Sequence, residues 1–253
     1  MKRALFFRAF SDRIWKEGSR LPILALALFL GATPQFLWAR TLQVAQDGSG
    51  EFAEIWLAVE AAVDGDTVYV APGDYNTAIV IRRSIALKGA GADRTRIVAP
   101  LTAVAIGAEG VTIEGFTIAA NVSARSLVPA IVFGNMSPKI HHNIVLGGHV
   151  GIECSGNANP IIQYNDLARN TFGIGLIDNP NTIDARFNWW GTVEEAQIAA
   201  RIMDARHPEG SGEVLFEPWL TSPQGIYPSD PTLVSFIGWG YLKMRTVGKE
   251  KEQ

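Results

Sequence analysis

Four side chains able to donate or accept hydrogen bonds recur at matched places in a repeating stretch of this chain: Glu114, His141, Gln163 and Asp184. Carried on strands stacked about 4.8 Å apart, they would form a line. A line of such groups suits a linear polysaccharide, and it equally suits water. The same repeats hold Asp166, Asp178 and Asp184 beside Arg169 and Arg186. Among them Asp166, Asp184 and Arg186 are the candidates for catalysis, since a proton beside a uronate carboxylate needs a basic group to remove it. Clustered carboxylates of this kind could also hold Ca²⁺, which is expected only if the protein is a lyase. Charged residues on outward strand positions otherwise make an ordinary solvated face. No other cofactor is expected. His141 and His142 fail as a metal pair if both are strand residues, because neighbours along a strand point to opposite faces.

The elements that would position these groups are visible as a period. Gly148 to Asp166 (GHVGIECSGNANPIIQYND) lies over Asn170 to Asn188 (NTFGIGLIDNPNTIDARFN) at a spacing of 22. Gly151 falls on Gly173, Ile152 on Ile174 and Cys154 on Leu176. Apolar residues alternate in short runs broken by Gly, Asn and Pro, which marks strands rather than helices. A period of this length built from short strands is the mark of a solenoid, with each strand pairing in parallel one coil away. Asparagines at repeated turn positions can pass hydrogen bonds from coil to coil. Two such ladders are expected: Asn135–Asn157–Asn179, and Asn143–Asn165–Asn188 with one residue inserted in its last step. If that turn is buried, Asn157→Ala should cost roughly 1–3 kcal/mol.

Residues 1–39 have the make-up of an export signal. Lys2, Arg3, Arg8, Arg13, Lys16 and Arg20 precede an apolar run, Leu21 to Leu30, with cleavage expected after Ala39. Left uncleaved, residues 21–38 would be the only membrane contact, barely long enough to span a bilayer. In either case the remainder is expected to be periplasmic or extracellular. The leader takes six basic and two acidic residues, leaving 16 Lys+Arg against 23 Asp+Glu. With no basic stripe, nucleic acid is not an expected partner. The lone cysteine, Cys154, excludes an internal disulfide and sits at an inward position, as a buried thiol would.

The segment from Leu42 to Asn76 reads as a strand, the turn Asp47-Gly48-Ser49-Gly50, a helix over 53–63 ended near Gly65, a strand from Thr67 to Val70 and the turn Pro72-Gly73. A helix there would cover the open end of the solenoid. Its V-A-Q-D-G-S-G-x-F and later P-G-x-Y resemble the start of pectin-lyase-like right-handed β-helix proteins, above all the pectinesterases. Ile79 to Val98 resembles their first coils, further coils run through Val104 to Ala120, and Asn121 to Pro129 is expected to be an inserted loop. The resemblance stops short of the pectinesterase active site: neither the D-F-I-F-G-like nor the G-R-P-W-like segment is present. Gly148-His149-Val150-Gly151 loosely imitates the G-H-G motif of polygalacturonases. That family's paired upstream aspartates are missing, and His149 falls on Thr171 in a turn one repeat on.

FNWWGT (Phe187 to Thr192) and VLFEPWLTSP (Val214 to Pro223) resemble the closing segment of many bacterial secreted β-helix proteins of unassigned role. Between them Thr192 and Glu195 form a capping box that predicts a second covering helix over 193–205. Trp189, Trp190 and Trp219 have the chemistry of a sugar platform, though packing against this cap is the better use. Residues 224–253 are Pro-rich and then charged, and the apolar run 233–244 is a candidate protein contact.

The expectation is therefore an all-β solenoid, a single-stranded right-handed parallel β-helix of five or six coils over 40–223, with short capping helices at both ends. Binding a polysaccharide along an outer face without catalysis is the expected role. A polysaccharide lyase or glycoside hydrolase, and a non-catalytic scaffold of the cell envelope, stand as alternatives.

Overall fold

The structure is a computed structural model that describes residues 39–120 and 128–223. The leader, the run 21–38, most of the expected inserted loop and the tail with its 233–244 patch lie outside the described residues. Among the described residues no helix is long and apolar enough to cross a membrane.

The first strand, β1 (Thr41–Val44), is followed by helix α1 (Ile55–Ala61). The chain then winds through about six coils, and each of the first five gives one strand to each of three sheets. The first is β2 (Thr67–Val70), β3 (Gly73–Tyr75) and β4 (Ile79–Ile81). The second is β5 (Ala86–Gly89), β6 (Thr95–Ala99) and β7 (Val104–Ile106). The third is β8 (Thr112–Glu114), β9 (Thr117–Ala120) and β10 (Ile131–Gly134). The fourth is β11 (Lys139–His141), β12 (Ile144–Leu146) and β13 (Val150–Ser155). The fifth is β14 (Ile161–Gln163), β15 (Asp166–Arg169) and β16 (Phe172–Ile177). The sixth has β17 (Thr182–Asp184), a bridge from Trp189 to Asp166, helix α2 (Glu195–Ala199) and β18 (Ile202–Met203). Strand β19 (Glu213–Leu215) begins one further turn.

Through the first five coils each strand therefore pairs with the one three places on, and all pairings are parallel. One sheet runs β1-β2-β5-β8-β11-β14-β17-β19, a second β18-β16-β13-β10-β7-β4, a third β15-β12-β9-β6-β3. This is the expected parallel β-helix, and its core is the stack of inward residues. Leu87, Ile113, Ile140 and Ile162 form one fully buried column, and Ile131, Ile152, Ile174 and Ile202 another. Each such side chain contributes on the order of 1.5–3 kcal/mol by leaving water. Cys154 lies in this core, and burial pushes its thiol up, so it is a packing residue. Trp190 is fully buried too, and its indole N–H finds no acceptor among the described residues.

Helix α1 buries Ile55, Ala58 and Val59 against the start of the solenoid. It spans 55–61 rather than 53–63. Gly65 lies beyond its end, in a turn where φ is +92°. That turn is organised by Asp66, a buried carboxylate that accepts from the backbone N–H groups of Val63 and Arg40 and from Arg40 Nε at 3.0, 3.0 and 3.1 Å.

The second cap departs further from expectation. Helix α2 is a single turn, and Glu194, not Thr192, is its N-cap, with no side-chain cap bond. The Thr192 hydroxyl accepts from Glu194 N–H and donates to Gln197 Oε1, so the capping box does not form. The helix stops early because Ile202 and Met203 are taken into a sheet, Ile202 opposite Ile174.

Candidate functional site

The outward face of the eight-stranded sheet carries the line of polar groups. In register, Tyr69 stands opposite Lys88, Lys88 opposite Glu114, Glu114 opposite His141, and His141 opposite Gln163. The side chains are tied to one another. Lys88 Nζ lies 2.8 Å from Glu114 Oε1, and Glu114 Oε2 lies 3.3 Å from His141 Nδ1. Gln163 Nε2 donates to Asp184 Oδ2 at 2.8 Å, and Arg186 grips Asp184 with two bonds of 2.9 and 2.7 Å.

One expectation about this line needs correcting. Asp184 is not at the position equivalent to Gln163. It stands opposite Ile161, a step of 23 rather than 21, and meets Gln163 diagonally. Ser155 stands opposite Ile177, a step of 22, so the one further residue lies between Ile177 and Asp184.

The strand ends of this face share an unusual turn. Gly115, His142, Tyr164 and Phe187 occupy the matching place in four successive coils, and all have left-handed backbones, with φ of +80°, +56°, +56° and +59°. Glycine accepts this conformation freely, whereas a side chain adds strain of about 1–2 kcal/mol. The three aromatic residues offset it by stacking: His142 on Tyr164 at 5.3 Å and Tyr164 on Phe187 at 5.4 Å, the rings within 8° and 6° of parallel. Phe187 N–H donates to Pro218 O, where Glu217, Pro218 and Trp219 line a surface concavity. Because each ring covers the face of the next, the stack offers a ligand mostly ring edges.

Behind the turn runs the Asn143–Asn165–Asn188 ladder, fully buried. Asn143 N–H and Nδ2 both donate to Asn165 Oδ1, and Asn165 N–H and Nδ2 both donate to Asn188 Oδ1, at 2.8–3.2 Å. Asn143 Oδ1 in turn accepts from Phe116 N–H. The Nδ2 groups also reach the carbonyls of Ile113, Ile140 and Ile162.

The ladder expected at Asn135, Asn157 and Asn179 does not run through. Ser155 pairs with Gly134 and with Ile177, which aligns Asn135 with Gly156 and Asp178. The turn after β10 is one residue shorter than the turn after β13, so a uniform spacing of 22 hides a step of 21. Asn157 N–H still donates to Asn135 Oδ1, but both residues are exposed. Asn179 is buried and looks elsewhere, its N–H to Ser211 Oγ and its Nδ2 to Ala158 O.

His141 and His142 also differ from expectation. Strand β11 ends at His141, and the left-handed backbone of His142 swings its ring to the same side. The two Nδ1 atoms lie 2.9 Å apart, and with Glu114 they place one donor atom each within 4.8 Å of one another. Burial pushes both imidazoles below their ordinary pKa. The only signal in the sequence was Gly115, a glycine at the place His142 takes one coil later.

Of the three catalytic candidates, Asp184 and Arg186 are brought together and Asp166 stands apart from them, on a different sheet. Asp184 and Arg186 form a closed pair, and the Arg186 hydrogen bonds, despite partial burial, hold the Asp184 carboxyl down at about 2. Asp166 lies on the five-stranded sheet, with Oδ1 accepting from Ala168 N–H, and burial raises its pKa. His149 packs edge-on against Phe172. Trp219 stacks on Phe216, and Trp189, like Leu146 and Leu220, packs against the small cluster of Ala92 and Ile144.

No family model matches this chain, and neither does any curated protein. Among solved structures it is similar to the pectin methylesterase from carrot, at 17% identity and a TM-score of 0.42. That match covers 58% of this chain and 56% of the carrot enzyme, so the chain spans little more than half of it. It is also similar to a mutant pectin methylesterase solved with a hexasaccharide, at 13% identity and a TM-score of 0.39, over 74% of this chain and 67% of the other.

Proposed function

We propose that this is an exported protein that binds a polysaccharide along the outer face of its eight-stranded sheet, without turning it over. The observation that carries the reading is the continuous register Tyr69–Lys88–Glu114–His141–Gln163, extended by contact to Asp184 and Arg186. It places a cation, carboxylates, an imidazole, an amide and a phenol ring at one strand spacing, about 4.8 Å, along a straight axis. Side chains already bonded to each other lose little freedom when a chain of hydroxyls docks, which favours binding by a preorganised surface. Binding is preferred to catalysis because Asp184, clamped by Arg186, is a weak proton acceptor near neutral pH. Export rests on the residues of the leader.

A glycan array, run beside a screen for new unsaturated or reducing ends, tests this. Retention of a glycan by the wild type, weakened about tenfold or more in Lys88→Ala and Gln163→Ala and with no product formed, is the expected result. Product formation lost in Asp184→Ala or Arg186→Ala would replace it with an enzyme. Silence in both assays would end the carbohydrate reading.

A further inference from the structure

We propose that Glu114, His141 and His142 form a binding site for a divalent transition-metal ion. Three separate observations converge on it.

The first is spacing. Two donors bonded to one ion at about 2.0–2.2 Å and subtending roughly 90–110° lie about 2.8–3.6 Å apart. His141 Nδ1 is 2.9 Å from His142 Nδ1 and 3.3 Å from Glu114 Oε2. The cluster therefore needs little more than side-chain rotation to close around an ion.

The second is proton accounting. Two imidazole Nδ1 atoms and a carboxylate oxygen face one another, and each carries a lone pair in its metal-binding form. A single Nδ1 proton can bridge two of these atoms and leaves the third facing a lone pair. One cation satisfies all three.

The third is orientation and access. Lys88 holds Glu114 by Oε1, so Oε2 is the oxygen left facing the imidazoles. The stack on Tyr164 fixes the plane of the His142 ring. The side chains of Glu114 and His141 are each 27% exposed, so an ion can enter and its remaining positions can hold water or a ligand group. Two nitrogens and one oxygen suit Zn²⁺ and its first-row neighbours, not Ca²⁺ or Mg²⁺, which take oxygen ligands.

The solenoid supplies its own control. One coil on, Gln163 and Tyr164 occupy the places of His141 and His142 on the same backbone, with the same left-handed turn. His141→Gln and His142→Tyr therefore transplant side chains that this turn already accommodates, and remove the ligands without removing the turn.

The test is titration calorimetry of the chelator-treated full-length protein with Zn²⁺, with Co²⁺ absorption as a readout of coordination. One equivalent of Zn²⁺ is expected. His141→Gln and His142→Tyr should each weaken binding by at least about tenfold and abolish the Co²⁺ bands, and Glu114→Gln should weaken it by about tenfold. His149→Gln and His207→Gln should bind as the wild type does. Thermal unfolding without metal, unchanged in the variants, separates lost ligands from lost folding. Absence of a one-equivalent site, or binding that survives the His141→Gln/His142→Tyr double change, would overturn the proposal. So would binding lost in His149→Gln or His207→Gln. No glycan enters these titrations, so this site and the polysaccharide reading stand or fall separately.

Discussion

Two asparagine turns that look alike in the sequence do different work. At Asn143, Asn165 and Asn188 each side chain is fully buried, bonds the next, and also holds backbone carbonyls of its own and a neighbouring coil. At Asn135 and Asn157 the asparagines are exposed and meet through one bond, from Asn157 N–H to Asn135 Oδ1. The difference lies in what happens to the partners if the side chain is removed. In the buried turn they have nowhere else to go, whereas in the exposed turn water takes over. Regular spacing alone shows only that a turn recurs, and burial decides whether its side chains hold the coils together.

The contrast can be tested by graded damage. Asn165→Ala should be the most harmful change, since it strands Asn143, Asn188 and the carbonyls of Ile140 and Gln163 together. A loss of about 3 kcal/mol or more is expected in denaturant unfolding.

Asp66→Asn tests the same principle with charge. Burial opposes ionisation of this carboxyl, but the N–H groups of Val63 and Arg40 and the Arg40 guanidinium outweigh it, so its pKa is lowered. A lowered folded-state pKa stabilises the protein above the ordinary aspartate value of about 3.9 and loses that contribution as pH falls through the folded value. Asp66→Asn should lower the Tm at neutral pH, with the gap from wild type closing below about pH 4. A gap that persists in acid would show that the amide fails for steric reasons instead. The asparagine ladder should show no such pH dependence.

Tyr164→Ala should cost about 1–2 kcal/mol, through loss of two stacked contacts. Tyr164→Asn should cost less, because asparagine is more at ease in the left-handed backbone. Asn157→Ala should change stability by no more than about 0.5 kcal/mol, far below what a buried ladder would imply.

The fold was legible in the sequence because its rule is short-range. A residue that alternates inward along a strand and recurs at about 22 has one place to go in a solenoid, and Ile140, Ile152, Ile162 and Ile174 all went there. The polar line from Glu114 to Gln163 was legible for the same reason. What escaped was register and backbone hand. A step of 21 after β10 sits inside a turn, where no hydrophobic pattern reports the count. The residue expected to be inserted between Asn165 and Asn188 falls ahead of Asp184, which moves that side chain out of line with Gln163. The convergence of His141 and His142 depends on a left-handed backbone, and only glycine announces that conformation in a sequence. Here histidine, tyrosine and phenylalanine adopt it, kept in place by stacking on one another.

The winding itself has a mechanical consequence. Each full coil gives one strand to each sheet, so the backbone hydrogen bonds between coils point along the solenoid axis. Tension applied along that axis loads them one coil at a time, as a zip opens, instead of shearing many at once. A pulled molecule should lengthen in repeated steps. A coil of about 22 residues releases on the order of 75 Å when extended, and the largest forces should fall where the buried asparagines join the fourth, fifth and sixth coils.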